Sequence, residues 1–313
     1  MTKKKYYSPI AIFTYQRIDS LKKLLKSLKK NSETKNSSVY FFCDGPKSKK
    51  DERNTKKIIL FLKSIKFFKN KKIILRKNNY GLKKNIVDGI NEVFKKNKTI
   101  IVLEDDLIVS KYFLNYMNNA LNKYYKNKKI FHINGWSFKV NINNKFDVYF
   151  SRYMNCWGWG TWKNRWSLLN EKSVLKSSLN WSKKKINEFN IGSSINLYDQ
   201  ISRNFTKKIN TWAVFWYATI FKNNGICLTP NYSLVKNCGF EKLENNSINF
   251  LYSTNISNKK IINYPSFVGE DKIIFKFLKK EILKKKFFYY LNKNLYLSMV
   301  NISKLLLAYI KKY

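Results

Sequence analysis

The chain has 313 residues, of which 62 are Lys or Arg and 19 are Asp or Glu, giving a net charge of +43. Hydrophobic residues make up 44% and aromatics 17%, so a sizeable core forms and a disordered chain is excluded. No stretch of about 18 apolar residues occurs, which excludes a membrane-spanning helix, and the start MTKKKYYSPIAIF has too short an apolar run for a signal peptide.

The charge has two sources. A cationic surface attracts anionic partners, and an abundance of Lys, Asn, Ile, Tyr and Phe is the bias of AT-rich coding. The lysines are spread along the whole chain rather than gathered in one patch, which assigns about half of the weight to coding bias, and the remainder favours an anionic membrane face over nucleic acid as the partner. Cys43, Cys156, Cys227 and Cys238 form no C-x-x-C pair and His132 is the only histidine, so a zinc site is not expected. Reduced thiols in the cytoplasm are.

In chain order, Ser8–Tyr15 (SPIAIFTY) reads as a buried strand. Leu21, Leu24, Leu25 and Leu28 follow at helical spacing. Ser38–Gly45 (SVYFFCDG) is a second strand ending at Asp44, Asp51–Ile65 a helix, and Lys71–Arg76 a third strand. Leu82, Ile86, Ile90, Val93 and Phe94 mark another helix, Thr99–Leu103 (TIIVL) the fourth strand and Lys129–Ile133 the fifth. Strands alternating with helices predict an α/β fold with a mostly parallel central sheet covered on both faces. Ligands of such sheets bind at the carboxyl ends of the strands, where Asp44 and Glu104–Asp106 fall. Beyond residue 136 the pattern changes. Ser151–Trp166 (SRYMNCWGWGTWKNRW) holds four of the eight tryptophans, and Asn210–Phe240 is aromatic and then turn-like.

Glu104, Asp105 and Asp106 stand together directly after the fourth strand, and apolar residues resume at Leu107. Unpaired charges are costly to bury, so three adjacent carboxylates there need water, basic partners or a metal. Carboxylate oxygens suit Mg²⁺ or Mn²⁺, and such an ion neutralises the charge of a departing diphosphate.

With these segments in this order the chain resembles GT-A glycosyltransferases, within them the group of the animal N-acetylglucosaminyltransferase I and many bacterial sugar transferases of the family 2 type. SPIAIFTYQR, FFCDG, NYGLKKNI and VLEDDLIVSKYFLNYM carry the resemblance. CWGWGTWKNRW and TWAVFWYATIFKNNGICLTPNYSLVKNCGF match the bacterial members, so that residues 8–240 are covered. The resemblance implies a Rossmann-like sheet and a metal-dependent hexosyl- or N-acetylhexosaminyltransferase. Its donor would be a nucleotide sugar and its acceptor a glycan or lipid-linked sugar in bacterial surface polysaccharide or lipopolysaccharide synthesis. By position, Asp106 would bind the Mn²⁺ or Mg²⁺, Asp105 would support the metal or the sugar, and Glu104 would bond the ribose. Thr14, Arg17 and Asp44 would line the nucleotide pocket. Lys83 or Lys84 would meet base or phosphate, unless it is a solvated helix lysine. Trp157 and Trp159 would stack on the acceptor, or belong to the core, with Gly158 and Gly160 letting a loop close. The family often carries an acid near the positions of Asn210 and Ala213. Here it is missing, so Asp199 and Glu241 are the candidate bases, and a catalytically degenerate sugar-binding member is the alternative.

Residues 1–270 are expected to form the GT-A domain, with a nucleotide-sugar half at 1–135 and an acceptor half at 136–270. Residues 271–313 form a basic helical extension. In it Leu291, Leu295, Met299, Ile302, Leu306 and Tyr309 follow helical spacing among lysines, the pattern of a terminal packing helix or of an interfacial helix on the inner face of the cytoplasmic membrane. A nucleic-acid-binding protein is disfavoured, because the acidic triad would repel phosphate.

Overall fold

The computed structural model describes residues 6–140, 145–239 and 254–287. In the first half β1 (Ile10–Thr14), α1 (Ile18–Leu28), β2 (Ser38–Cys43), α2 (Lys49–Ser64), β3 (Asn70–Leu75), α3 (Gly81–Phe94) and β4 (Thr99–Glu104) alternate as the sequence predicts. Every residue of β1 is buried, as a strand covered on both faces must be. Ile10 and Ile12 pack with the leucine stripe of α1, while Ala11 and Phe13 pack with Ile86, Ile90 and Val93 of α3. The period of two along the strand thus meets the period near 3.6 of each helix. The Ser48 hydroxyl caps α2 by accepting from the Asp51 N–H at 3.2 Å. At its other end the Lys71 ammonium donates to the carbonyls of Leu62, Lys63 and Ile65, where the last turn of a helix leaves carbonyls without intrahelical donors.

The second half adds β5 (Leu107–Val109), α4 (Phe113–Lys123), β6 (Ile130–Asn134), β7 (Val148–Ser151), β8 (Trp159–Trp162) and α5 (Lys163–Trp166). It continues through α6 (Glu171–Ser178), α7 (Lys183–Phe189), α8 (Leu197–Phe205), α9 (Ala213–Lys222), β9 (Ile226–Pro230) and β10 (Val235–Asn237). Eight strands form one sheet in the order β3-β2-β1-β4-β8-β6-β9-β7. The run β3-β2-β1-β4 and the pair β6-β9 are parallel. Between β4 and β6 lies β8, antiparallel to both, and β7 closes the edge antiparallel to β9. The fifth predicted strand is present as β6, but it does not adjoin β4. Gly160 therefore belongs to a buried strand rather than to a closing loop. A Cβ there would stand 3.1 Å from the Ile100 carbonyl oxygen, so the two strands meet at a residue without a side chain.

The tryptophan-rich stretch is mostly core. Trp159 is fully buried, stacked on His132 and Trp212 and beside Trp166 and Trp216. Residues 272–287 form a helix that buries Ile274, Leu278 and Ile282 in the main core. The amphipathic stretch 291–309 lies outside the described residues. Among the described residues no helix is long and apolar enough to cross a membrane.

Arg165 ties α5 to the connection between α4 and β6. It is buried, lies over the Trp162 ring, and donates to the carbonyls of Tyr124, Tyr125, Asn127 and Ile130 at 2.8–3.4 Å. It thereby satisfies the end of α4 and the start of β6. Arg165→Met should strand these acceptors and lower unfolding free energy by about 3 kcal/mol. Urea unfolding of Arg165→Met and Arg165→Lys checks this, with the lysine variant intermediate because one ammonium cannot span the same carbonyls.

Candidate active site

The loop after β1, the ends of β2 and β4 and the first turn of α3 surround a cavity of about 320 Å³. Thr14, Arg17, Asp44, Glu104 and Asp105 all line it. It sits at the carboxyl ends of parallel strands, where the fold leaves strand-end groups facing a crevice.

Asp44 is held by the backbone around it. Its carboxylate accepts from the N–H groups of Gly45, Tyr80 and Gly81 at 2.7–2.9 Å, so it staples the end of β2 to the start of α3. Asp105 is fixed in the same manner, because its Oδ2 accepts from the Tyr15 N–H at 3.0 Å. Asp106 lies under the turn after β10. Its carbonyl accepts from the Cys238 N–H at 2.8 Å, and a Cβ on Gly239 would be 2.3 Å from Asp106 Oδ2. The pairing of β10 with β5 brings the Asn-Cys-Gly turn onto the acidic cluster from more than a hundred residues away.

One guanidinium joins the two aspartates. Arg17 Nη2 is 2.6 Å from Asp105 Oδ1, and Arg17 Nη1 is 2.8 Å from Asp106 Oδ2. The carboxylates are nearly buried, whereas Arg17 is 47% exposed. Burial works against the Arg17 charge, but the carboxylates of Asp105, Asp106 and Glu104 outweigh it and raise its pKa. Burial, reinforced by the charges of Asp106 and Asp105, pushes Glu104 up to about 8. Burial also raises Asp105, with Arg17 opposing.

The cluster fits a divalent cation. Mg²⁺ or Mn²⁺ commonly takes one or two carboxylates and completes its shell with substrate phosphates and water. Asp105 and Asp106 already converge on one positive group, the Arg17 guanidinium. Among the described residues no group of three or more His, Cys, Asp or Glu side chains is placed to hold a metal, so phosphate oxygens would have to supply part of the shell.

The remaining predicted residues lie elsewhere. Lys83 pairs with Glu171 at 2.6 Å and lies over the Phe215 ring. Lys84 pairs with Asp88 and covers Tyr80. Neither lines the cavity; Leu82 and Asn85 do, one helical turn of α3 presenting them together. Trp159 has no exposed face to stack on an acceptor, so its core alternative holds. Trp157 is only partly buried, with its ring edge-on to Trp136 at 5.3 Å. Asp199 stands in the first turn of α8, half-exposed and 4.0 Å from Arg203, outside the cavity lining. Glu241 lies outside the described residues. Tyr15, Gln16, Lys47 and Asn79 also line the cavity; they flank the strand-end segments, and that adjacency is the signal by which the sequence marks them.

The sequence profile of Glycosyl transferase family 2 matches residues 10–200. The chain belongs to glycosyl transferase family 2. Among curated proteins none matches. Among solved structures the chain is similar to Staphylococcus aureus TarS 1–349 in complex with UDP-GlcNAc, at 14% identity and TM-score 0.38 over 54% of this chain and 48% of that one. A second structure of TarS 1–349 has 11% identity and TM-score 0.43 over 90% and 70%. The mannosyltransferase PcManGT from Pyrobaculum calidifontis, in complex with GDP-Man and Mn²⁺, has 7% identity and TM-score 0.37 over 70% of each chain. The chain spans about half the length of the TarS chain with UDP-GlcNAc. The family match covers the strand-end loops that surround the cavity and ends within α8.

His132, at the far end of this arrangement, holds the Tyr153–Trp157 segment in place. The Trp216 N–H donates to its Nδ1 at 3.1 Å, so Nε2 carries the proton and donates to the Asn155 carbonyl at 3.0 Å. Asn134 adds bonds to the Tyr153 carbonyl and from the Asn155 N–H. Burial pushes the imidazole down to about 3. The folded chain therefore keeps His132 neutral where the unfolded chain protonates it, below about 6.5. Stability from this group is complete above that pH and is lost as pH falls toward 3. Between pH 7 and pH 5 the loss from this group should be about 2 kcal/mol, and urea titrations should show the stability of the wild type relative to His132→Gln falling by that amount between the two pH values.

Proposed function

We propose that this chain transfers a hexose or N-acetylhexosamine from a nucleotide-sugar donor to a glycan or lipid-linked acceptor in the building of a bacterial surface polysaccharide or lipopolysaccharide. The observation that carries the reading is the pair Asp105–Asp106, converging on one cationic position at the mouth of a strand-end cavity in a family 2 chain. A divalent cation, when bound, supplies charge neutralisation to the leaving diphosphate. Asp106 would hold it, with Asp105 beside it. Glu104, which lines the cavity beside Asp105, would hydrogen-bond a ribose hydroxyl. Thr14, Arg17 and Asp44 would shape the nucleotide pocket, and Trp157 would offer an apolar face to the acceptor sugar. Glu241 or Asp199 would take the acceptor proton. Glu241 is the better supported, since it follows by two residues the Gly239 that lies against Asp106.

A screen of UDP-, GDP- and other nucleotide sugars for hydrolysis, with and without Mn²⁺, tests the activity. Asp106→Ala should cut Mn²⁺-dependent donor affinity by more than the roughly 10–100-fold that losing an outer-shell partner costs, and Asp106→Asn should do nearly as much. A base variant, Glu241→Gln or Asp199→Asn, should lose about 10²–10⁴-fold in turnover while still binding donor. Unchanged UDP–Mn²⁺ affinity in both Asp106 variants would sink the reading of the triad, and full activity in both base variants would remove both candidates.

We also propose peripheral attachment to the inner face of an anionic membrane. The outward side of helix 272–287 exposes Ile273, Leu283 and Phe287 among Lys276, Lys280 and Lys284, an apolar and basic face of the type that lies at headgroup depth. Sedimentation should be stronger with anionic than with neutral vesicles and should weaken at high salt. Equal binding to both would refute the attachment.

A further inference from the structure

The ion pairs of Asp105 and Asp106 among the described residues are both made by Arg17. The guanidinium spans the two carboxylates where the fit to a divalent cation requires that ion to sit, and two positive centres do not share one position. Arg17 is nevertheless poised to leave. It belongs to the loop between β1 and α1, it lines the cavity, and close to half of its side chain faces solvent. The carboxylates, by contrast, are anchored: Asp105 by the Tyr15 N–H, and Asp106 through its carbonyl by the Cys238 N–H. Withdrawing the guanidinium alone would leave three adjacent carboxylates, two of them nearly buried, without a counter-charge, which is expensive. A free divalent ion must displace Arg17 and leave it without an anion. A divalent ion arriving with a diphosphate offers both replacements at once, the metal to the aspartates and the phosphate oxygens to the guanidinium, whose planar fork matches them.

We propose that Arg17 is a built-in competitor of the metal, occupying the aspartate pair until a metal-bound nucleoside diphosphate takes both the aspartates and the guanidinium. This rests on the donor reading above for the identity of the diphosphate, while the competition itself rests only on the ion pairs. It makes the cation and the nucleotide bind cooperatively, with one coupling factor measured from either side.

The test is Mn²⁺ binding to the full chain by electron paramagnetic resonance, alone and with saturating UDP or GDP, in the wild type, Arg17→Ala and Arg17→Gln. The wild type should bind Mn²⁺ alone weakly and at least about tenfold more tightly with a nucleotide. Both variants should bind Mn²⁺ alone about tenfold or more tightly than the wild type, and the nucleotide should then add little, because the step it drives has been removed. Mn²⁺ should also raise the melting temperature of the variants more than that of the wild type, by mass action. If Arg17→Ala does not fold, Arg17→Gln, which keeps a polar chain of similar reach, is read in its place. Mn²⁺ affinity that is unchanged or weaker in the variants overturns the proposal. Tighter Mn²⁺ in the variants with no response of any protein to either nucleotide supports the competition and instead overturns the donor reading.

Discussion

The fold is arranged around a charge it cannot hide. Glu104, Asp105 and Asp106 end a strand whose every other residue is buried, and a half-exposed arginine compensates them. Much of the neighbouring structure serves to keep them fixed. The Tyr15 N–H orients Asp105, and the loop after β1 returns Arg17 across both aspartates. The β5–β10 pair lowers the Asn-Cys-Gly turn onto Asp106, which demands a residue with no side chain at Gly239. A pair of anchored carboxylates facing a half-exposed cation is an arrangement in which one counter-ion could be exchanged for another without reorganising the sheet, and low reorganisation is what electrostatic stabilisation of a leaving group needs.

The second half contributes rigidity. The buried aromatic cluster of Trp159, Trp166, Trp212 and Trp216 surrounds one neutral histidine, and that histidine reads out the packing through two directional bonds. His132 and Asn134, neighbours but one on β6, together hold the backbone of Tyr153–Trp157. Cys156 in that segment has its thiol pushed up by burial and then by the charge of Glu104, which places the segment beside the acidic strand end. Aromatic packing on one side of the sheet thus fixes a loop that borders the charged site.

The alternation of the first half was legible because its signals are local. Strand runs bounded by turns and leucines at helical spacing depend on residues a few positions apart, and the elements from β1 to β4 stand where those signals place them. The insertion of β8 was not legible, since the choice of neighbour in a sheet depends on long-range pairing; GWGTW reads equally well as a glycine-hinged loop. The helix α4 was hidden by its asparagines, yet Asn118 is fully buried and accepts from the Ser8 N–H, a tertiary use of a residue that locally favours turns. In the site, strand-end carboxylates were legible from position alone. The facing of Lys83 and Lys84 was not, because Glu171 and Phe215, which hold Lys83, come from other elements, and adjacent helix positions point about 100° apart. Tryptophan 159 shows the same limit: an aromatic residue beside glycines fits a sugar platform or a core equally until its neighbours are known.

Composition and site can be read together through the few acids that the chain retains. Asp44 accepts three backbone N–H groups, and Asp51 accepts from the Tyr15 hydroxyl and the Lys47 N–H. Asp147 accepts from the N–H groups of Ile262 and Asn263, fastening residues far along the chain to the start of β7. Glu92 meets Lys72 and Arg76, Glu171 meets Lys83, and Glu270 meets Arg152. Each of these acids accepts hydrogen bonds or pairs with a cation, which lysine cannot do, whereas most lysines cover surface. A general drift toward basic residues would account for that surface but not for three consecutive carboxylates, whose charges are costly to bury. Their retention in so positive a chain has a physical use. On the proposed reading, the surrounding field would draw an anionic nucleotide toward the cavity and the local negative cluster would admit it only in the company of a cation, so that the two opposite charges would act at different ranges on the same ligand.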